Sequence, residues 1–205
     1  MVTVSLININ YLENPVGIQK IEQIGWKIES DKKNVFQTRY KIQIALDKDF
    51  EQCIYETNMI NSEESAHISC DLLNAKLRSS QQYFIRVKAG TTKGETDWKT
   101  GTFVTALLTN QEWVAEFITV ESDNDSKESK GTYIRKEFAV QKAVKAAYAY
   151  TTALGLYHFY LNGEKVGFDE FTPGWTSYNK HLLYQVYDIK DMLKQGGRHA
   201  GSRVV

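Results

Sequence analysis

Residues 155–187 read GLYHFYLNGEKVGFDEFTPGWTSYNKHLLYQVY. The run YHFYL alternates aromatic and apolar side chains at a strand's period of two. Asn162-Gly163 supplies the positive φ angles of a type I′ turn, so the chain reverses there into EKVGF as a β-hairpin. A Pro-Gly-Trp loop at Pro173–Trp175 follows. Strand, tight turn, strand and loop within one short stretch predict a β-sandwich rather than a helical or α/β fold.

Working outward, VKAAYAYTTALG just before this stretch is ambiguous, because Ala favours helix while Tyr and Thr favour strand. It is expected to be a strand, since YHFYLNG follows at once and needs a partner. Further upstream, YIRKEFAV gives a strand with mixed faces, suited to a sheet edge. Residues 121–131, ESDNDSKESKG, predict a polar surface loop. Its DNDS run clusters oxygen atoms but lacks the Gly and the distal bidentate Glu of a calcium loop, so no metal is expected there. Downstream, YDIKDMLKQGG reads as Asp188 capping a short helix, with Lys194 near its negative end and Gly196 and Gly197 closing it. That reading makes Asp188 structural rather than catalytic.

The first half is also β. Ile24, Trp26 and Ile28 alternate with polar neighbours, as do Tyr40, Ile42, Ile44 and Leu46, and then Tyr83, Ile85, Val87 and Ala89. Breaks rich in Ser, Asn, Gly and charge fall at Glu29–Asn34, Asn61–Ser65 and Thr91–Asp97. Leu77 stands six residues before Tyr83, which opens YFIRVKA. This resembles the tyrosine-corner strand of fibronectin type III domains, with Trp26 in the place of their core tryptophan. The chain is therefore expected to be all-β, with a fibronectin type III-like antiparallel sandwich over 1–107. A second, jelly-roll-like sandwich over 108–205 is expected to be incomplete.

Composition narrows the function. The 205 residues carry 25 Lys plus Arg against 25 Asp plus Glu, so no steering field favours nucleic acid or an anionic membrane. Met1–Pro15 has no basic, apolar leader, and no run approaches the roughly 20 apolar residues of a membrane span. A cytoplasmic location is the expectation from that. The only cysteines, Cys53 and Cys70, make neither a disulfide framework nor a zinc site and are expected as free thiols. His67, His158, His181 and His199 lack metal-ligand spacing, and no nucleophile elbow, phosphate loop or dinucleotide fingerprint occurs. Neither metal nor cofactor is expected.

Glycoside hydrolysis needs two carboxylates flanking one bond. Asp169 and Glu170 would point to opposite faces of a strand, and Glu63 and Glu64 lie in a polar turn, so no catalytic residue is assigned. The one binding constellation is aromatic. Trp175 and Tyr178 flank a turn where exposed rings can stack on the C–H face of a sugar, while Asp169 or Asn179 bonds its hydroxyls. The alternative is that Trp175 plugs one end of the sandwich core.

The order of motifs resembles that of the bacterial α-L-rhamnosidases. It includes YLENPVGI at Tyr11–Ile18, QT-x-Y-x-I at Gln37, Thr38, Tyr40 and Ile42, Trp113 before a strand, and RKEF at Arg135–Phe138. TALGLY at Thr152–Tyr157, LNG-x-x-VG at Leu161–Gly167, PGWT-x-Y at Pro173–Tyr178 and YDI at Tyr187–Ile189 complete it. The resemblance implies the noncatalytic N-terminal region of an inverting glycoside hydrolase that releases terminal α-L-rhamnose, with a second domain supporting recognition of rhamnose-containing glycans. It also implies that the acid and base belong to a downstream (α/α)-barrel absent here, so this portion is expected to be inactive alone. A free-standing carbohydrate-binding or scaffold protein is the alternative from another class. A β-galactosidase or β-glucuronidase jelly roll is a third, since YLNG-x-x-VG recurs there.

The tail GGRHAGSRVV departs from the apolar strand and Gly-Asp-Gly-Trp-like turn that the resemblance implies. It reads as a frameshift, truncation or fragment boundary that leaves the second sandwich short of strands, with an open edge and apolar face. On that reading, limited proteolysis degrades the second half before the first. Equal resistance of both halves would count against it.

Overall fold

A computed structural model describes residues 1–119, 131–193 and 197–204. They form two compact units, Met1–Trp113 and Val114–Val205.

The first unit contains β1 (Val2–Ile9), β2 (Val16–Ile18), β3 (Ile24–Ser30), β4 (Gln37–Ala45), β5 (Cys53–Glu56), β6 (Ile60–Asn61), β7 (Gln82–Thr91), β8 (Gly94–Glu95) and β9 (Lys99–Thr105). A one-turn helix, α1 (Asp71–Asn74), lies between β6 and β7. β1 and β3 pair as one antiparallel sheet. The other sheet runs β2-β9-β7-β4-β5, with β6 on β4 and β8 on β7.

The period-two runs meet in register. Tyr40 lies opposite Ala89, Ile42 opposite Val87 and Ile44 opposite Ile85, and all six side chains are buried. Opposed positions share a face, so one strand's apolar set adds to the next and packs against Val4, Ile7, Ile24 and Trp26 of the two-stranded sheet. Burying each large side chain contributes about 1.5–3 kcal/mol relative to leaving it in water.

Trp26 is the core tryptophan that the sequence suggests. Its ring meets that of Tyr40 at 4.9 Å, and its Nε1–H donates to Gln37 Oε1 at 2.8 Å. The tyrosine corner is also present. Tyr83 is fully buried, stacks on Phe103 at 5.0 Å, and accepts the Arg78 N–H at 2.7 Å through its hydroxyl. The YLENP phrase has a local cause too. Asn10, Tyr11 and Asn14 have positive φ, and the Asn10 amide accepts from Glu22 N–H at 2.8 Å. Asn14 Oδ1 accepts from Thr102 N–H at 2.8 Å, which moors the turn to β9.

The second unit contains β10 (Tyr133–Ala139), β11 (Tyr148–Thr151), β12 (His158–Leu161), β13 (Glu164–Lys165), β14 (Gln185–Asp188) and β15 (Arg198–Val204). One sheet has the order β10-β15-β12-β13 and the other pairs β11 with β14. β10 lies at the edge of its sheet, in keeping with its mixed faces. Asn162 and Gly163 have φ of 55° and 87° and join β12 to β13 as the Asn-Gly turn requires.

Two expectations are corrected. β11 is a strand, but its partner is β14, with Tyr148 opposite Asp188 and Thr151 opposite Gln185. It does not pair with the neighbouring YHFYLNG. The tail is the second correction. It does not break off from the sheet but becomes β15, which pairs with β10 on one side and β12 on the other.

The tail holds because its polar groups find partners. Asn162 donates its N–H to Ala200 O at 2.9 Å and accepts Ala200 N–H through Oδ1 at 3.1 Å, which continues the ladder one residue beyond β12. This fixes the amide orientation and turns Nδ2 toward His199 Nδ1 at 3.0 Å and Met192 O at 3.0 Å. His199 is 3% exposed and stacks on Phe138 at 5.5 Å. Asp188 acts structurally, its Oδ1 accepting the Lys190 N–H at 3.0 Å, but it is not the N-cap: in place of the expected short helix a 3₁₀ turn at Lys190–Met192 follows Ile189, which holds the N-cap position without a side-chain cap bond. Lys194, the proposed glycine closure at Gly196, and the 121–131 loop with its DNDS run except Gly131 lie outside the described residues.

Substituting Asn162→Ala removes these side-chain bonds and places a Cβ-bearing residue without local compensation at positive φ. The expected loss is about 2 kcal/mol from the second unit, read as a lower urea midpoint in the protection of β12 and β15 amides.

Candidate functional site

The candidate residues lie on one continuous segment, Gly167–His181, that carries almost no ladder and is moored at a few points. Tyr157 N–H donates to Thr172 O at 2.9 Å, and Thr172 Oγ1 donates back to Tyr157 O at 2.7 Å. Thr172 precedes Pro173 through a cis peptide bond. Gln185 Nε2 donates to Pro173 O at 3.2 Å. Beyond the Pro-Gly-Trp turn, Lys180 N–H and His181 N–H donate to Ser177 O at 2.8 and 2.9 Å, and Thr176 Oγ1 donates to His181 O.

This anchoring pushes the rings outward. Trp175 is 95% exposed, Phe168 100% and Phe171 75%, with Tyr178 less so at 41%. Trp175 therefore does not plug the core, whereas Tyr157, Leu161 and Val166 of the same unit are buried. Tyr178 and Asn179 lie at the exposed Ser177–Lys180 turn. Phe168 and Phe171 were not singled out in the sequence. The signal available was a pair of aromatics in an acidic stretch, FDEF, with no strand alternation to bury them.

The base of the segment is polar and tightly packed. Tyr187 pushes its ring against Gly167, where a Cβ would fall 2.4 Å from Tyr187 Cε1. Gly167 also has φ of +76°, so glycine is required there on both counts. The Tyr187 phenol lies close to Tyr157 and Asp169. Tyr157, 1% exposed, donates to Gln185 Oε1 at 2.7 Å and is bonded by Thr151 Oγ1. Asp169 is thus brought against Tyr187, while Tyr178 and Asn179 stay at the far end of the segment.

Burial, then the neighbouring Tyr157 and Asp169, push the Tyr187 phenol far above the usual tyrosine range. Glu170 bonds Lys165 and lies 3.2 Å from His158 Nε2. The Lys165 bond holds its carboxyl below the ordinary value. An exposed, lysine-paired carboxylate of lowered pKa is poorly suited to donate a proton at neutral pH. Among the described residues, no group of three or more His, Cys, Asp or Glu side chains is placed to hold a metal ion. The segment carries exposed aromatic rings and a carboxylate, Asp169, groups that suit stacking and hydroxyl recognition rather than bond cleavage.

Two family models match the chain. The "Rha78A-like, N-terminal immunoglobulin domain" covers residues 4–109, and the "Alpha-L-rhamnosidase N-terminal domain" covers 142–204. The second match runs through β15, so the tail fits the family pattern that it had been expected to leave. An α-L-rhamnosidase of Formosa agariphila is 26% identical over 94% of this chain and 23% of its own length. One of Streptomyces avermitilis is 45% identical, over 33% of this chain and 7% of its own. Among solved structures, the α-L-rhamnosidase from Dictyoglumus thermophilum superposes with a TM-score of 0.79 at 25% identity, covering 99% of this chain and 25% of that one. The Aspergillus terreus α-L-rhamnosidase gives 0.74 at 26% identity, covering 100% and 24%. The chain thus spans about a quarter of the length of the Formosa, Dictyoglumus and Aspergillus relatives.

The Tyr187 environment has a pH signature. The folded state keeps the phenol neutral while the unfolded chain ionises it near pH 10, so the stability it contributes is complete below about pH 10 and is lost as pH rises above that. In an ultraviolet titration of the native protein, Tyr187→Phe is expected to leave the tyrosinate absorbance gained between about pH 9 and 11 unchanged. In denaturant the same substitution lowers it by one tyrosine's share.

Proposed function

Since the chain belongs to the Rha78A-like N-terminal immunoglobulin domain family and continues into an α-L-rhamnosidase N-terminal domain, we propose that it serves an inverting α-L-rhamnosidase as an accessory region that helps recognise terminal α-L-rhamnose on glycans. The observation that carries this reading is the outward placement of Trp175, 95% exposed on an anchored loop. A tryptophan held in water gains little unless something covers it, and in this reading the cover is the apolar face of a sugar. Phe168, Phe171 and Tyr178 extend the apolar surface, and Asp169 and Asn179 supply groups for sugar hydroxyls.

In this reading the region binds and orients, and the bond-breaking carboxylates lie elsewhere in the complete enzyme. L-rhamnose titrated into the 205-residue chain is expected to give saturable binding in the millimolar range, a weak affinity suited to a small open surface. Trp175→Ala is expected to weaken it about tenfold while the thermal midpoint stays put, since stacking is worth about 0.5–1.5 kcal/mol. Unchanged binding in that variant would remove Trp175 from the site.

A further inference from the structure

The turn between β12 and β13 carries a reactive pair as well as a reversal of the chain. Asn162-Gly163 is the only Asn-Gly sequence in the protein. Glycine has no side chain to shield its backbone nitrogen, so Gly163 N can approach the carbonyl carbon of the preceding Asn side chain with little steric hindrance. The turn is open on that side, since a Cβ built on Gly163 would meet nothing within 4 Å. The other side of Asn162 is held. Its Oδ1 accepts Ala200 N–H at 3.1 Å, and its own N–H donates to Ala200 O at 2.9 Å. Its Nδ2 donates to Met192 O at 3.0 Å and lies 3.0 Å from Nδ1 of the buried His199. Ala200 and His199 belong to β15. Attack by Gly163 N requires the Asn162 amide to leave these partners and turn its Cγ onto the nitrogen, so the amide becomes reactive only when β15 moves away from it.

We propose that Asn162 is a site of spontaneous deamidation gated by β15, so that each opening of this strand can be fixed as a covalent change in the turn it covers. In the reaction Gly163 N loses its proton and bonds to Asn162 Cγ. The Cγ–Nδ2 bond breaks, and Nδ2 leaves with that proton as ammonia. Water then opens the cyclic imide at one of its two carbonyls, leaving either aspartate or an isoaspartyl link at position 162. Nothing is oxidised or reduced, and water is the only co-reactant. Neither product restores the native contacts. A carboxylate only accepts hydrogen bonds, so aspartate would set an oxygen against the Met192 carbonyl where Nδ2 now donates. The isoaspartyl link routes the backbone through Cβ and Cγ and lengthens the turn, which no longer matches the two-residue reversal between β12 and β13. Deamidation therefore weakens the docking of the strand whose opening permitted it. This chemistry involves no residue of the Trp175 loop and is independent of sugar binding.

The test incubates the 205-residue chain at mildly alkaline pH, folded in buffer and unfolded in concentrated urea, and follows the mass gain and isoaspartate content of the peptide that contains Asn162. The unfolded chain is expected to deamidate there at least about tenfold faster than the folded one, because in the native state the reaction waits on local opening. Phe138→Ala removes the ring on which His199 stacks at 5.5 Å and is expected to raise the folded-state rate about fivefold, with the rate in urea unchanged. Asn162→Asp, which reproduces one product, is expected to lower the urea midpoint for protection of the β15 amides. Equal rates in buffer and urea, or no deamidation at Asn162 in urea, would overturn the proposal. A folded-state rate left unchanged by Phe138→Ala would overturn the gating by β15, and a wild-type midpoint in Asn162→Asp would overturn the weakened docking.

Discussion

Tyr157 is the joint on which the second unit turns. Its backbone N–H and C=O both engage Thr172, and its hydroxyl is shared between Thr151 and Gln185. A phenol buried to 1% exposure is costly if its oxygen lacks partners, and this requirement ties several segments to one point. Residues 167–175 need such a tie because they carry almost no strand ladder. The first unit uses the same device in a different place: Tyr83 is buried in the sandwich, and its hydroxyl holds the Arg78 N–H of the loop that leads into β7. In both units a buried tyrosine converts a hydrophobic core into control over a loop.

The first unit was legible because its strands have one dry face and one wet one. Ile42 and Val87 could be assigned inward from alternation alone, and they sit opposite each other as the pattern requires. The Asn162-Gly163 turn was legible for a different reason, since its signal is contained within two residues. Strand partners were harder to see. The β11 segment runs into YHFYLNG in sequence, yet it pairs with Gln185–Asp188, and nothing in either segment's composition encodes a pairing across that separation. The pairing of the tail was not seen because it departs from the apolar strand that the resemblance implies, whereas the groups that hold it, Asn162 and Phe138, are distant in sequence.

The candidate site was half legible. Trp175 and Asp169 stood out by type, but a tryptophan beside a turn fits a core as well as a surface, and only the fold separates the two. The packing of Tyr187 on Gly167 could not be seen in the sequence at all, because it depends on a Cβ that Gly167 does not have. A bound sugar would meet rings whose backbone is already fixed by Thr172, Pro173 and Ser177 contacts. Less ordering is then left to do on binding, which is how an open surface of modest size can retain useful affinity.

The position of β15 bears on how this unit is made. It lies between β10 and β12, although it is synthesised after both. During translation β10 and β12 leave the ribosome with no strand to join them, and their facing edges stay unpaired until residues 198–204 emerge. The sheet then closes by insertion of a strand into a gap rather than by addition to a free edge, a route dominated by distant contacts and therefore slow. Through that interval the edges of β10 and β12 that β15 will cover are open to mispairing, while the first unit can already have folded.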